Sequence, residues 1–143
     1  MNKDLMFSSR SMEWATPQDL YDVLDGEFHF TLDPCSTDEN AKCKLHYTSI
    51  DNGLEQDWRG QNVFCNPPYG KQIGAWVEKC YRESLKPKTL VVMLIPARTD
   101  TMWFHRFIYN RAEIRFVRGR LKFGGCVNPA PFPSMIVIFR PTD

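Results

Sequence analysis

Two consecutive prolines, Pro67 and Pro68, separate a short apolar run from a helical pattern in the middle of this 143-residue chain. Proline fixes its own φ angle and disfavours helix for the residue before it, so Asn66 and Pro67 are expected to be extended. The apolar run Val63-Phe64-Cys65 therefore predicts a strand, and the pattern that begins near Lys71 predicts a helix. A strand that leads directly into a helix is the unit of an open α/β sheet, which binds ligands at the carboxyl ends of its strands.

The tetrapeptide Asn66-Pro67-Pro68-Tyr69 places hydrogen-bond acceptors and an aromatic ring at that edge. Because proline has no N–H, nearby carbonyl groups lack donors, and the side chain of Asn66 adds another carbonyl. A planar amino group could donate to Asn66 Oδ1 and to the Pro67 carbonyl while it stacks on Tyr69. Two acceptors in tetrahedral directions favour the sp³ form of such a nitrogen and expose its lone pair to an electrophilic methyl group. The tetrapeptide therefore suits methylation of an exocyclic amine.

Hydrophobic patterns along the rest of the chain predict one domain of strands and helices. The continuous apolar run Leu90–Ile95 is typical of a central parallel strand that is covered on both faces. Thr16 is expected to cap the first helix, with Pro17 at its first position and Gly26 at its end. The predicted elements are helices at residues 17–26, 73–84 and 103–108 and strands at residues 28–33, 63–65, 90–95, 114–117 and 135–139.

The Asn-Pro-Pro-Tyr motif resembles the catalytic motif of S-adenosylmethionine-dependent amino-methyltransferases. Further segments occur in the same order as in the compact phage-type DNA N6-adenine methyltransferases (Dam-like), and the resemblance covers roughly residues 14–140. It implies a single-domain α/β fold with a Rossmann-like class I methyltransferase sheet, mostly parallel with an antiparallel last strand, and helices on both faces. It also implies site-specific methylation of a flipped adenine in double-stranded DNA. The similar segments are Thr16-Pro17, Leu32-Asp33-Pro34-Cys35, Asn40-Ala41-Lys42-Cys43, Asp57-Trp58, Pro96-Ala97-Arg98-Thr99-Asp100 and Gly119-Arg120-Leu121-Lys122-Phe123.

The resemblance also implies which residues form the site. An acidic residue at the end of the first strand can bind the amino-acid moiety of S-adenosylmethionine, and an acidic-aromatic pair before the catalytic strand touches the adenine of this cofactor. Ser36-Thr37 stand where many relatives have a glycine-rich loop. The implied catalytic residues are Asn66, Pro67, Pro68 and Tyr69, and the implied cofactor residues are Thr16, Pro17, Asp33, Pro34, Cys35, Asp57 and Trp58.

Charge is distributed unevenly along the chain although the formal net charge is only +1. Residues 1–57 hold 4 Lys/Arg against 12 Asp/Glu, whereas residues 58–143 hold 14 against 5. Such asymmetry indicates either a polyanionic partner for the basic part or pairing between the two halves of the chain. Under the first interpretation the predicted phosphate contacts are Arg98, Arg118, Arg120 and Lys122.

Composition limits the remaining possibilities. With 43% hydrophobic residues the chain can bury a core, and we expect a flexible arm at residues 1–13 followed by a methyltransferase domain at 14–143. No apolar run reaches the length of a membrane span, and the five cysteines without a CxxC pair predict reduced thiols and no metal site. These features fit a cytoplasmic protein, in a bacterial host cell if a phage or prophage encodes it. No separate recognition domain fits in 143 residues, so sequence specificity would come from loops such as 36–53 and 119–134, would come from a homodimer, or would be weak.

Two other functions remain open. The same tetrapeptide would serve an amino-methyltransferase that acts on RNA or on a protein glutamine, because a glutamine amide presents the same planar amino group. Labelled cofactor offered to DNA, RNA and protein would separate these substrates. The missing glycine loop also fits a non-catalytic nucleic-acid-binding protein with this fold, and calorimetric titration with S-adenosylmethionine would test that alternative.

Overall fold

The computed structural model describes residues 14–142. The arm expected at residues 1–13 lies outside the described residues. The elements in chain order are α1 (Gln18–Phe28), β1 (Leu32–Asp33), β2 (Leu45–His46), a 3₁₀ turn (Gly53–Glu55), β3 (Asn62–Cys65), α2 (Ile73–Ser84), β4 (Leu90–Pro96), a π-helical turn (Phe104–Ile108), β5 (Glu113–Phe116) and β6 (Ser134–Phe139).

The strands form one six-stranded sheet in the order β2-β1-β3-β4-β6-β5. The first four are parallel, whereas β6 runs antiparallel to both of its neighbours. All seven residues of β4 are buried, as expected for a central strand, and Phe64 pairs with Val92 in the register of β3 with β4. The predicted mostly parallel sheet with an antiparallel last strand is therefore confirmed.

Helices cover both faces of this sheet, also as predicted. Consecutive strand residues point to opposite faces, so Phe64 and Cys65 of β3 mark the two sides. The ring of Tyr21 in α1 meets the Phe64 ring edge-on at a centroid distance of 5.2 Å. On the other side, burial and the neighbouring Cys80 of α2 raise the pKa of the Cys65 thiol well above its ordinary value. Among the described residues, neither α-helix is long and apolar enough to span a membrane.

The beginning of the chain departs from the sequence prediction. The first helix continues through Gly26 to Phe28 and ends at His29, which has a left-handed φ of 54° and donates its N–H to the Asp25 carbonyl. Phe28 is therefore helical, and β1 contains only Leu32 and Asp33. Phe30 packs against the sheet instead of entering it, and its ring lies 5.3 Å from the Phe64 ring.

Thr16 does not cap this helix. The N-cap position is Pro17, and no side chain accepts a hydrogen bond there. The Pro17 carbonyl accepts the N–H of Tyr21, so Pro17 begins the helix through its backbone. The Thr16 side chain is buried and is used in the site described next.

Candidate active site

A cavity of about 930 Å³ opens at the carboxyl ends of β1 and β3. This volume lies within the range of about 300–1,000 Å³ that is usual for small-molecule sites. Asp33, Pro34 and Cys35 line it from β1, and Asn66, Pro67 and Pro68 line it from β3. The structure thus brings two segments that are far apart in the sequence to one cavity. The remaining lining residues are Ala15, Thr16, Gln18, Ser36–Lys42, Thr48–Ile50, Asn52–Leu54, Phe64, Gln72 and Trp76.

The side-chain amide of Asn66 is held by three hydrogen bonds. Its Nδ2 donates to the Trp14 carbonyl at 2.8 Å and to Thr16 Oγ1 at 3.0 Å. Its Oδ1 accepts from the Tyr69 hydroxyl at 2.5 Å. Because both amide hydrogens are engaged, the carbonyl oxygen has a defined direction at the cavity wall. Thr16 therefore fixes the orientation of the Asn66 side chain and does not cap the first turn of the helix.

Tyr69 is oriented differently from the expectation. Its ring was expected to offer an open face for stacking, but only 8% of the residue is exposed and it does not line the cavity. The rings of Phe123 and Phe132 pack edge-on against it at centroid distances of 6.2 and 5.7 Å. Burial raises the pKa of the Tyr69 hydroxyl well above its ordinary value, so this group remains a hydrogen-bond donor.

Asp33 is a buried carboxylate that anchors the loop after β1. Its Oδ1 accepts the N–H of Cys35 at 3.3 Å, and its Oδ2 accepts the N–H of Lys42 at 2.9 Å. Burial raises the pKa of Asp33 to about 6, against the opposing effect of these two backbone donors. The side chain is therefore ionised at neutral pH and carries negative charge into the cavity.

The loop between Cys35 and Lys42 is ordered without glycine. Thr37 N donates to Asn40 Oδ1 at 2.7 Å, and Asn40 N donates to Thr37 Oγ1 at 3.1 Å. These reciprocal bonds close a compact turn. Asp33 ties both ends of this turn to the sheet. Side-chain hydrogen bonds therefore hold the conformation of this loop, whereas a glycine-rich loop adopts a tight turn through its backbone freedom.

Two buried polar atoms on the cavity wall have no hydrogen-bond partner among the described residues. They are Ser36 Oγ and Trp76 Nε1. Buried polar groups are almost always paired, so these two atoms are exceptions within the wall of the cavity. Sequence analysis missed both residues, because periodicity places Trp76 on the buried face of α2 without revealing that its N–H has no acceptor.

Asp57 and Trp58 lie outside this cavity. Asp57 is exposed and pairs with Lys86 at 2.8 Å. Trp58 is fully buried, and its Nε1 donates to the Gly53 carbonyl at 3.0 Å. Because Asp57 is exposed outside the cavity and Trp58 packs behind its wall, the structure does not support the expected direct contact of either residue with the cofactor adenine. Pro17 likewise does not line the cavity.

The four predicted phosphate-contact residues are exposed. Arg98 Nη1 donates to the Tyr69 carbonyl at 3.0 Å, which joins it to the catalytic segment. Within residues 14–142, Arg118, Arg120 and Lys122 form no ion pair. Pairing between the two halves of the chain does occur at Arg115 Nη1, which lies 2.7 Å from Glu27 Oε1. The alternative interpretation of the charge asymmetry thus applies to Arg115 but not to these three residues.

Comparison with known proteins adds independent information. A family model described as DNA N-6-adenine-methyltransferase (Dam) matches residues 6–143. A DNA N-6-adenine-methyltransferase of Escherichia phage T1 is 31% identical over 110 residues, which cover 76% of this chain and 45% of the relative. The YfdM protein of Escherichia coli (strain K12), whose methyltransferase designation is provisional, is 36% identical over 64 residues, or 40% of this chain and 70% of the relative. The matched segment thus spans less than half the length of the phage T1 relative.

Proposed function

This chain belongs to the DNA N-6-adenine-methyltransferase (Dam) family, and from that membership we propose that it methylates the N6 amino group of adenine in DNA, with S-adenosylmethionine as the methyl donor. The observation that carries this proposal is the shared cavity, because an ionised Asp33 and the Asn66-Pro67-Pro68 segment line the same wall. One segment suits the donor and the other suits the accepting amine.

The cavity fits the donor in size and in chemistry. S-adenosylmethionine supplies an electrophilic methyl group when it is bound. The Asp33 carboxylate would accept hydrogen bonds from its cationic amino group. Pro34 and Cys35 would supply backbone and apolar contact beside Asp33.

The accepting amine would be held by Asn66. Its Oδ1 and the Pro67 carbonyl would accept the two N–H groups of the adenine N6, which directs the nitrogen lone pair toward the methyl group. Trp14 and Thr16 fix the Asn66 amide before the base arrives, so little reorganisation is needed during the reaction. Stacking of the base on Tyr69 would require Phe123 and Phe132 to move aside.

The basic residues would hold the DNA around a flipped adenine. Flipping costs a few kcal/mol of lost stacking and pairing, which contacts to the flanking phosphates offset. Arg98 would act at the edge of the catalytic segment because it is bonded to the Tyr69 carbonyl, and Arg118, Arg120 and Lys122 have no competing acidic partner among the described residues. If a phage or prophage encodes the chain, the reaction would take place in the cytoplasm of a bacterial host cell.

Radiolabelled S-adenosylmethionine offered separately to duplex DNA, RNA and a protein mixture tests this proposal. We expect label in DNA only, and mass spectrometry of digested DNA should identify N6-methyladenine. Label in RNA or protein alone would refute the DNA substrate, and no label in any of the three would refute the proposed activity.

Asn66→Ala provides the active-site variant, with Asn62→Ala as its matched control. Asn62 is the first residue of β3, the strand that Asn66 directly follows. Its Nδ2 also donates to two acceptors, the carbonyls of Phe28 and His29, but it does not line the cavity. Asn66→Ala should reduce turnover by at least about 100-fold, comparable to the loss of one preorganised polar group. Asn62→Ala should lower the melting temperature and leave turnover within a few-fold of the unmodified protein.

A further inference from the structure

Residues 119–125 cover the ring of Tyr69. The Phe123 ring packs edge-on against Tyr69 at a centroid distance of 6.2 Å and against Trp14 at 5.6 Å, and Phe123 itself is only 1% exposed. Phe132, the second ring on Tyr69, lies outside this stretch. Stacking of the accepting base on Tyr69 therefore requires Phe123 to leave, and the rest of its stretch determines what can move it.

This stretch has a charged side and an apolar side. The exposed residues Arg120 and Lys122 alternate with Leu121, which is half-buried, and Phe123, which is buried. Within residues 14–142, neither Arg120 nor Lys122 forms an ion pair. The same few residues present two cations to solvent and one ring to the site, so a polyanion that binds the outer side acts directly on the inner side.

Both ends of the stretch are glycines in the left-handed backbone region. The φ angle is 75° at Gly119 and 81° at Gly125. Glycine adopts such angles without steric cost, and residues of this kind can absorb the change of backbone angle at a hinge. In the part of the chain that the structure describes, the residues between these glycines belong to no strand of the sheet. They can therefore swing outward without breaking the pairing of its strands.

A backbone hydrogen bond ties the stretch to the residues that hold Asn66. The Gly124 N–H donates to the Ala15 carbonyl at 2.8 Å and forms an isolated antiparallel bridge with it. Ala15 lies between Trp14 and Thr16, whose oxygens accept hydrogen bonds from Asn66 Nδ2. The closed position of residues 119–125 is thus joined to the segment that orients the catalytic amide.

We propose that residues 119–125 are a lid that closes the acceptor side of the site, and that phosphates bound by Arg120 and Lys122 draw Phe123 off Tyr69. This inference rests on the proposed function. It makes Phe123 a specificity-determining residue, because an adenine without flanking phosphates does not open the lid. Reaction at Asn66 is then restricted to adenine within a nucleic-acid chain.

A disulfide between positions 15 and 124 would hold the lid closed. A Cβ atom placed on Gly124 lies 3.6 Å from the Ala15 Cβ, and its nearest neighbour is the Ala15 carbonyl oxygen at 3.5 Å, so a side chain fits there. Disulfides join Cβ atoms that are about 3.5–4.5 Å apart. The oxidised Ala15→Cys/Gly124→Cys variant should methylate duplex DNA at least about 100-fold more slowly than its reduced form, because less than about 1% of it would be open. Dithiothreitol should restore the rate.

Binding of S-adenosylhomocysteine, the demethylated product, distinguishes a closed lid from a damaged fold. Isothermal titration calorimetry should give the same dissociation constant for the oxidised and reduced forms, because the Asp33 side of the cavity stays open. Gly124→Cys alone is the matched control for pairing with the native cysteines, and the same oxidant should leave its turnover unchanged. An oxidised double variant, with its disulfide verified by mass spectrometry, that methylates DNA as fast as its reduced form would overturn the proposal.

Suppression provides a second test that needs no disulfide. Arg120→Ala/Lys122→Ala should lower turnover at saturating DNA, because the lid is no longer drawn open. Addition of Phe123→Leu, which reduces the packing of the closed lid, should restore turnover severalfold. Phe107→Leu, at a buried position in the π-helical turn, is the matched control and should not restore it. No recovery with Phe123→Leu would also overturn the lid. Failure of the proposed function is recognised separately, because the unmodified protein would then label no DNA.

Discussion

Replacement of Asp33 by asparagine should change how the stability of the protein depends on pH. The Asp33 carboxylate is 4% exposed and burial raises its pKa from the ordinary value of 3.8 to about 6. The folded state therefore binds a proton more tightly than the unfolded state does. Asp33 contributes stability that is fully present below pH 3.8 and is lost as the pH rises through 6.

The size of this contribution follows from the two pKa values. Between pH 7.5 and pH 5 the folded carboxyl becomes mostly protonated while the unfolded one stays mostly ionised, which adds about 1.4 kcal/mol to the free energy of unfolding. The Asp33→Asn variant cannot gain this increment because an amide does not titrate. The oxygen of the new amide would accept only one of the two N–H groups that Asp33 now binds, so the variant should also lose hydrogen bonding to Cys35 or Lys42.

Urea unfolding of both proteins at pH 5, 6 and 7.5 provides the assay. The stability deficit of Asp33→Asn relative to the unmodified protein should be larger at pH 5 than at pH 7.5 by about 1.4 kcal/mol. The two proteins are compared at each pH because other carboxyl groups also change the stability. Hydrogen bonds from Arg115 lower the pKa of Glu27, and hydrogen bonds from Arg140 and Arg115 lower the pKa of Glu113. The stability that Glu27 and Glu113 contribute therefore falls on acidification in both proteins. A deficit that is independent of pH, or that shrinks on acidification, would refute the buried, proton-binding carboxyl.

Three further predictions concern the site. Binding of S-adenosylhomocysteine should release about half a proton at pH 6 and almost none at pH 7.5, because its cationic amino group would lower the pKa of Asp33. Calorimetry in buffers of different ionisation enthalpy measures the number of protons released. Equal release at both pH values would contradict this prediction. Thr16→Val should lower kcat by about tenfold through loss of the bond to Asn66 Nδ2, whereas Thr16→Ser should restore it; steady-state kinetics measure both, and an unchanged kcat for Thr16→Val would contradict the role of this bond. Joint replacement of Arg120 and Lys122 by Ala should flatten the slope of log affinity for duplex DNA against log salt by up to about 2, whereas a lower melting temperature with an unchanged slope would assign both residues to the fold.

The sequence predicted the sheet well where burial is strong. The run Leu90–Ile95 is apolar at every position, so its place at the centre of the sheet followed from composition alone. The segment around Phe28 and Phe30 was predicted wrongly because alternation does not distinguish aromatics within a strand from aromatics that pack onto one. There the contact with Phe64, a tertiary effect, determines the structure.

The candidate site was predictable in position but not in its internal contacts. The prolines after β3 and the acidic end of β1 indicated the correct edge of the sheet, and Asp33 and Asn66 do line one cavity. The bond from Asn66 to Thr16 joins residues 50 positions apart and leaves no trace in local patterns. The same holds for Trp76, since its helical spacing fits a core residue whether or not its N–H is paired.

The Tyr69 hydroxyl lies within hydrogen-bond distance of two acceptors, Asn66 Oδ1 at 2.5 Å and the Leu94 carbonyl at 3.1 Å, although it has one hydrogen to give. A substrate amine that takes over Asn66 Oδ1 would therefore leave no buried donor stranded, because the hydroxyl hydrogen can turn to Leu94. The Tyr69 hydroxyl exchanges one acceptor for the other by rotation about its own C–O bond. Asn66 can thus be kept occupied and rigid in the absence of DNA and still be released to the incoming base with little loss of hydrogen bonding.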